Sequence, residues 1–316
     1  MNPSSLLSSS NIMAAVANDS FTVGLRGLDE RLSVTLRHDV YPAIDPQEHY
    51  DAQTFKNEVV LVTGASKGIG AGIALGFARG GAAVVLMARQ QSTLDDSQAE
   101  ILKAVPEART LTIVADVVDW KASEAAVEAA VTHFGRLSVL VCNAGTTTKL
   151  ETPITDKDPE AWWRTFEVNV RGVFNFARAA LPYLKDSKGY FFALGSGGAQ
   201  VRMRGGSDYN TSKHAVNRFV EYVALENSEV KAITLNPGRI ATALADAAGL
   251  TGPGSTFVAS DTVELPVATI LYLAAGKADW LSGRYVSCNW DLAEVESDYK
   301  AKILEKDVLV NKLSMP

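Results

Sequence analysis

Tyr209 and Lys213 stand four residues apart, and with 207–226 as a helix they share one narrow stripe with Val216 and Val220. The two valines suit a core. A phenol and an amine heading the same seam do not, since neither is placed among apolar side chains without a partner or a task. A free phenol titrates near about 10 and is a poor base at neutral pH. An ammonium one helical turn away favours the phenolate, and lowering its pKa by roughly three units requires about 4 kcal/mol of differential interaction. Only a partly dry cleft provides that much, and there the tyrosine would exchange a proton with an oxygen at working pH. Ser196 adds a hydroxyl just past a predicted strand over 190–194. Asn169 shares a stripe with Trp162, Phe166 and Val173 in a predicted helix over 162–180. An amide on such a face needs hydrogen-bonding partners, which either buried backbone or a water chain would supply.

A Tyr-x-x-x-Lys pair alone is a weak signal, so its weight depends on the elements that position it. The apolar run at 59–62 reads as a buried parallel strand, and Thr63-Gly-Ala-Ser-Lys-Gly-Ile-Gly70 follows it, with Ile69, Ile73 and Phe77 at helical spacing. A strand-to-helix turn holding Gly64, Ser66, Lys67, Gly68, Ile69 and Gly70 is where amide N–H groups and a positive helix end receive a pyrophosphate. The strand over 82–88 ends in Arg89, with no carboxylate where NAD sites hold the ribose hydroxyls. Arg89 and Lys67 would attract a 2′-phosphate, which favours NADP(H) over NAD; the alternative is a pair of solvated surface cations.

Further strands are predicted at 111–114, 139–142, 190–194, 232–235 and 284–288, alternating with helix-like segments. That alternation implies an α/β fold with one parallel sheet covered on both faces. Asp116 and Val117 past the third strand are placed for the adenine, and Asn143, Ala144 and Gly145 past the fourth lie on the same carboxyl edge. Pro237, Gly238, Ile240 and Thr242 follow the sixth strand. The segment 241–260, with Gly249, Gly252, Pro253 and Gly254, reads as a flexible lid. Arg202, Arg204 and Arg239 flank the expected mouth, where they would meet a carboxylate or a phosphorylated carrier arm, or else face solvent or a subunit contact.

Composition bounds the function. At 316 residues, 47% apolar and 21% charged, the chain is of ordinary globular type, and a net charge of -6 excludes a nucleic-acid backbone binder. Cys142 and Cys288 lie far apart in apolar stretches, as buried thiols of a reducing compartment do, and the four histidines are too scattered for a metal site. No apolar run has the length of a membrane span, and the short one at 12–17 lacks the basic residue a secretory signal carries before it, so the expected location is the cytoplasm. Residues 1–55 form an N-terminal extension, either a strap or a partly disordered leader, in which Tyr41 to Asp45 reads as extended chain. Residues 56–293 form the dinucleotide-binding domain, and 294–316 a tail of uncertain helix.

Together the TGASKGIG turn, Asp116, CNAG ending at Gly145, Asn169 in VNV, Ser196, the YNTSK segment and PGRIAT from Pro237 to Thr242 resemble the short-chain dehydrogenase/reductase family over roughly residues 57 to 290. The resemblance implies a Rossmann-type, doubly wound parallel sheet of about seven strands in a single domain, assembled as a homodimer or homotetramer through the long helices at 162–180 and 207–226. It also implies Tyr209 as acid/base, Ser196 orienting the substrate oxygen, Lys213 holding the nicotinamide ribose, Asn169 supporting a water relay, and Ile240 and Thr242 at the carboxamide end of the cofactor. Cys142 and Ser138 depart from the family's frequent Asn and Asp, which touches sheet-edge hydrogen bonding. The expected reaction is NADP(H)-dependent hydride transfer between nicotinamide and a small-molecule ketone or secondary alcohol. The alternatives are a cofactor-binding sensor without turnover, and a dehydration or epimerisation using the same tyrosine.

Overall fold

Seven runs, too short for buried helices and mostly rich in β-branched or aromatic residues, become the strands of one sheet. They are Val59–Thr63 (β1), Ala83–Ala88 (β2), Thr110–Val114 (β3), Val139–Cys142 (β4), Tyr190–Leu194 (β5), Lys231–Asn236 (β6) and Arg284–Ser287 (β7). The computed structural model describes residues 25–27, 29–251, 255 and 257–313. In chain order the helices are Gln47–Ala52 (α1), Gly68–Arg79 (α2), Gln91–Ala104 (α3), Trp120–Phe134 (α4), Pro159–Phe166 (α5), Gly172–Ser187 (α6), Tyr209–Glu226 (α7), Ala243–Ala247 (α8), Glu264–Ala274 (α9), Leu292–Glu294 (α10) and Lys300–Lys306 (α11).

Every strand pairing is parallel, in the order β3-β2-β1-β4-β5-β6-β7, the Rossmann-type doubly wound arrangement. β1, β2 and β4 are buried at every position, whereas β3, on the edge, is partly exposed. Successive side chains of a strand point to opposite faces. Val60 and Val62 therefore join one core layer with Ile73, Phe77 and Leu271 of α2 and α9, while Val59 and Leu61 join the other with Val127, Phe176 and Val216 of α4, α6 and α7. From β1 the chain winds one way to β2 and β3, then crosses to β4 on the other side. A crevice opens beyond the carboxyl ends of β1 and β4, and the predicted site residues lie at those ends. No helix among the described residues is long and apolar enough to cross a membrane.

Three elements differ from the sequence expectation. The helix predicted over 162–180 is interrupted by a π-helical turn, Glu167–Arg171, centred on Asn169. Pro42–Ile44 is a 3-10 turn and not extended chain, because Pro42 pre-sets the backbone of its first residue and Ile44 turns into the core. The tail is helical from Leu292 to Lys306, with a π turn at Val295–Tyr299 between α10 and α11.

The described part of the N-terminal extension crosses the carboxyl-terminal side of its own sheet. Arg26 pairs with Arg202 and Leu36 with Trp290 as isolated bridges, and Arg37 meets Asp291 at 2.6 Å. The buried Tyr41 phenol donates to the Trp290 carbonyl (3.1 Å) and accepts from the Leu292 amide (2.8 Å). The Ser-rich start of the chain and the lid residues Gly252, Pro253 and Gly254 lie outside the described residues.

Candidate active site

The glycine turn begins where β1 stops at Thr63. Gly64 and Gly68 adopt φ of +67° and +57°, a region that strains any residue with a side chain. A Cβ on Gly70 would overlap both the Gly64 carbonyl oxygen and the Asn143 side-chain amide. The Asn143 Nδ2 donates to the carbonyls of Thr63 and Gly64, each at 3.0 Å, and the Asn143 and Ala144 amides donate to the Thr63 hydroxyl at 3.1 Å. Asn143 and Ala144 thus clamp the turn from β4. Lys67 precedes α2 in extended conformation without capping it through its side chain, which leaves the amides of the first helical turn open to a ligand. Ser66 and Ile69 are partly exposed in the same turn. Thr242 faces them from across the crevice, its Cγ2 only 3.8 Å from where a Gly68 Cβ would sit. This cradle of bare backbone fits a dinucleotide's pyrophosphate.

Two cations gather past β2 and β3. Arg89 is exposed just past β2. Asp116, past β3, is not a free carboxylate: Arg164 of α5 pairs with it at 2.7 Å and the Val118 amide donates to it at 3.1 Å. Burial pushes the Asp116 carboxyl up, but the Val118 amide, Arg164 and Arg89 outweigh it and hold the group below the ordinary carboxylate value. Arg164 escaped the sequence reading because nothing in a stripe of Trp162 and Phe166 indicates a partner 48 residues away. Val117 is buried against Gly172, where its side chain occupies the space of a Cβ, and its carbonyl accepts from the Asn175 amide at 2.8 Å.

At the opposite end, Tyr209 opens α7 and Lys213 follows one turn on. Lys213 is 4% exposed and its Nζ donates to the Leu194 carbonyl at 2.7 Å. Burial lowers its pKa from 10.5 to about 8, with Cys142 acting weakly the other way. Burial pushes the Tyr209 phenol up, and the nearby Ser196 hydroxyl opposes that rise. The expected depression of the phenol by Lys213 is therefore not present. The Lys213 Nζ lies 5.7 Å from the Tyr209 ring centroid and spends a proton on Leu194, so desolvation wins. Ser196, at the end of β5, accepts from the Gly198 amide at 3.0 Å.

Asn169, fully buried, satisfies its amide through backbone and one hydroxyl: Oδ1 accepts from the Thr146 amide (2.8 Å), and Nδ2 donates to the Thr146 carbonyl (2.9 Å) and the Ser212 hydroxyl (2.9 Å). The π turn that carries it widens the helix at that point, as such turns do near functional sites. Gly145 lies between these groups, since its Cβ would come 3.5 Å from Asn169 Oδ1 and 3.6 Å from Lys213 Nζ.

The segment after β6 runs back to the glycine turn. Gly238 has φ +101°, and the Asp261 carboxylate occupies the space of its absent side chain while accepting from the Arg239 amide at 2.5 Å. The same carboxylate meets His38 of the N-terminal strap at 2.5 Å. Neither residue was singled out in the sequence, where 223 positions separate them. Pro237 is partly exposed, Ile240 is buried, and the Thr242 hydroxyl caps α8 by accepting from the Ala245 amide at 3.3 Å. The three arginines expected at one mouth diverge. Arg202 pairs with Glu30 at 2.6 Å and shares a cavity of about 720 Å³ with Arg204, whereas Arg239 lies over the Phe257 ring at 4.8 Å.

The family model for short chain dehydrogenase matches residues 58–251. Short chain dehydrogenase mpl6 of Monascus purpureus is 35% identical over 288 residues, which is 87% of this chain and 94% of its own length. Short chain dehydrogenase andI of Emericella variicolor is 35% identical over 281 residues, 86% of this chain and 92% of its own. Among solved structures, levodione reductase matches with a TM-score of 0.70 at 25% identity, covering 78% of this chain and all of its own. With more than half of its length fitting the family model and relatives of this identity along most of the rest, this chain belongs to the short-chain dehydrogenase/reductase family.

Proposed function

We propose that the protein is an NADP(H)-dependent oxidoreductase that reduces a small-molecule ketone to the secondary alcohol. The observation that carries this reading is the gathering of Ser196, just past β5, with Tyr209 and the buried Lys213 ammonium at the head of α7, the Ser196 hydroxyl opposing the rise of the Tyr209 phenol. The nicotinamide, when bound, supplies the hydride. Ser196 and Tyr209 hold the carbonyl oxygen, and Tyr209 gives it the phenolic proton as negative charge develops there. Lys213 is cationic below about pH 8 and favours the phenolate that remains. Asn169 fixes the Thr146 backbone and Ser212 around Lys213, which supports its assignment to a relay that returns the proton from solvent.

Gly64, Ser66, Lys67, Gly68, Ile69 and Gly70 would hold the pyrophosphate, and Asp116, Val117, Asn143, Ala144 and Gly145 the adenosine side and the wall beside it. Pro237, Gly238, Ile240 and Thr242 would line the nicotinamide end. Preference for the phosphorylated cofactor rests on the exposed Arg89 and Lys67 and on the lack of a carboxylate at the end of β2. The likeness to levodione reductase, a protein named for reduction, supports the direction. The free buried thiols of Cys142 and Cys288 fit a reducing compartment such as the cytoplasm, which cell fractionation tests.

Purified protein is assayed with NADPH or NADH against a panel of ketones. Turnover with NADPH is expected, with kcat lowered roughly a hundred- to ten-thousandfold by Tyr209→Phe at unchanged NADPH affinity. In the same assay Arg89→Asp should raise the KM for NADPH at least about tenfold and spare that for NADH. NADPH binding without consumption of any ketone would point to a sensor, and loss of water from a substrate without change in NADPH to a dehydratase.

A further inference from the structure

The loop between β4 and α5 carries a buried ion pair that the proposed reaction leaves unused. The Lys157 ammonium lies 2.9 Å from Asp208, the residue immediately before Tyr209, and their side chains are 3% and 0% exposed. Asp208 Oδ2 also accepts from the Thr148 amide (3.2 Å), the Thr148 hydroxyl (2.7 Å) and the Thr165 hydroxyl (3.3 Å). Lys157 Nζ donates in turn to the Thr148 hydroxyl at 2.5 Å. One carboxylate therefore joins the loop, α5 and the head of α7.

The surroundings reinforce the tie. The Trp162 indole donates to the Ser207 hydroxyl at 3.2 Å, and the Leu150 amide donates to the Ala248 carbonyl at 3.1 Å, which links the loop to α8. Gly205, in left-handed backbone, lies directly against the Leu150 carbonyl, where any Cβ would collide. Burial pushes the Asp208 carboxyl up, but Lys157, Thr148 and the Tyr209 backbone amide hold it below its ordinary value.

Two buried charges are an inefficient source of stability, because desolvation takes back most of what their attraction gives; their well-attested use is to fix one register. We propose that Lys157 and Asp208 are positioning residues that pin the loop between β4 and α5 to the first turn of α7, and so set the Tyr209 phenol against Ser196 and shape the substrate mouth. The proposal deepens the reductase reading and rests on it for its kinetic consequence.

The test compares Lys157→Met with the double variant Lys157→Met/Asp208→Asn. The single variant strands a buried carboxylate and should melt at lower temperature. The double variant keeps an acceptor for Thr148 and Thr165 without an unpaired charge, and should melt close to the unaltered protein. Pinning predicts that kcat for ketone reduction falls roughly ten- to hundredfold in both variants. It also predicts an unchanged dissociation constant for NADPH and faster amide hydrogen exchange at Thr148 and Leu150 in both. If kcat and slow exchange return together with the melting temperature in the double variant, the pair only stabilises and the proposal falls. Should the unaltered protein reduce no ketone, the reaction reading falls instead, and the exchange comparison alone decides the pin.

Discussion

Lys213 shows how far one residue's chemistry depends on what surrounds it. Its spacing from Tyr209 was legible, yet the sequence has the ammonium depressing the phenol, and the buried cleft raises the phenol while lowering the lysine. Burial of both groups is the reason, because desolvation penalises each charged form. A pH dependence follows. Between about 8 and 10.5 the unfolded chain keeps the Lys213 proton that the folded protein has lost, so stability rises with pH across that window. Below about pH 8 both states carry the proton and the full penalty, on the order of 3 kcal/mol, applies. Denaturant unfolding of the protein and of Lys213→Met, from about pH 7 to just below the tyrosine range near about 10, should show the unaltered protein gaining on the variant as pH rises. Parallel curves would sink the claim.

Among elements, the strand-to-helix turn was the most readable, because Gly64, Gly68 and Gly70 between an apolar run and a helical period leave few other uses for the segment. What the string did not show is why Gly70 tolerates no substitute: the Gly64 carbonyl and the Asn143 amide already fill the place of its Cβ. Backbone cannot yield there as a long side chain would. Gly70→Ala should therefore cost about 1–3 kcal/mol of stability and weaken NADPH binding together, read by thermal melting and by fluorescence titration of the coenzyme. Normal binding with an unshifted melting temperature would refute the clamp. The π turn at Glu167–Arg171 was not legible, since the stripe of Trp162, Phe166, Asn169 and Val173 fits a regular helix. The deviation answers to Thr146 and Ser212, partners from other elements that engage both ends of the Asn169 amide.

At the scale of the whole molecule, the outer faces of α6 and α7 leave Phe174, Tyr222 and Leu225 exposed, the last at 77%, with Phe174 and Phe219 edge to face at 6.1 Å. We propose these exposed apolar side chains on two long helices as the contact of a homodimer or homotetramer. Light scattering of the purified protein should give at least twice the 33.8 kDa chain mass, and Tyr222→Asp/Leu225→Asp should reduce it to one chain with the fold retained. A monomer before substitution rejects this interface. The described N-terminal residues also belong to this scale, because His38 meets Asp261 and Tyr41 meets Trp290, which joins that part of the chain to the segment after β6 and to the last strand's exit.

The order of short apolar strands, the glycine turn and the Ser196, Tyr209 and Lys213 spacing were set by local pattern alone, because strand burial, backbone freedom and helical period are properties of neighbours in sequence. Tertiary contacts alone decided that Asp116 is held by Arg164, Asp261 by His38, and Asp208 by Lys157. Each is a charge whose partner arrives from a distant element, and a buried or half-buried carboxylate takes whichever cation or amide the fold brings within reach.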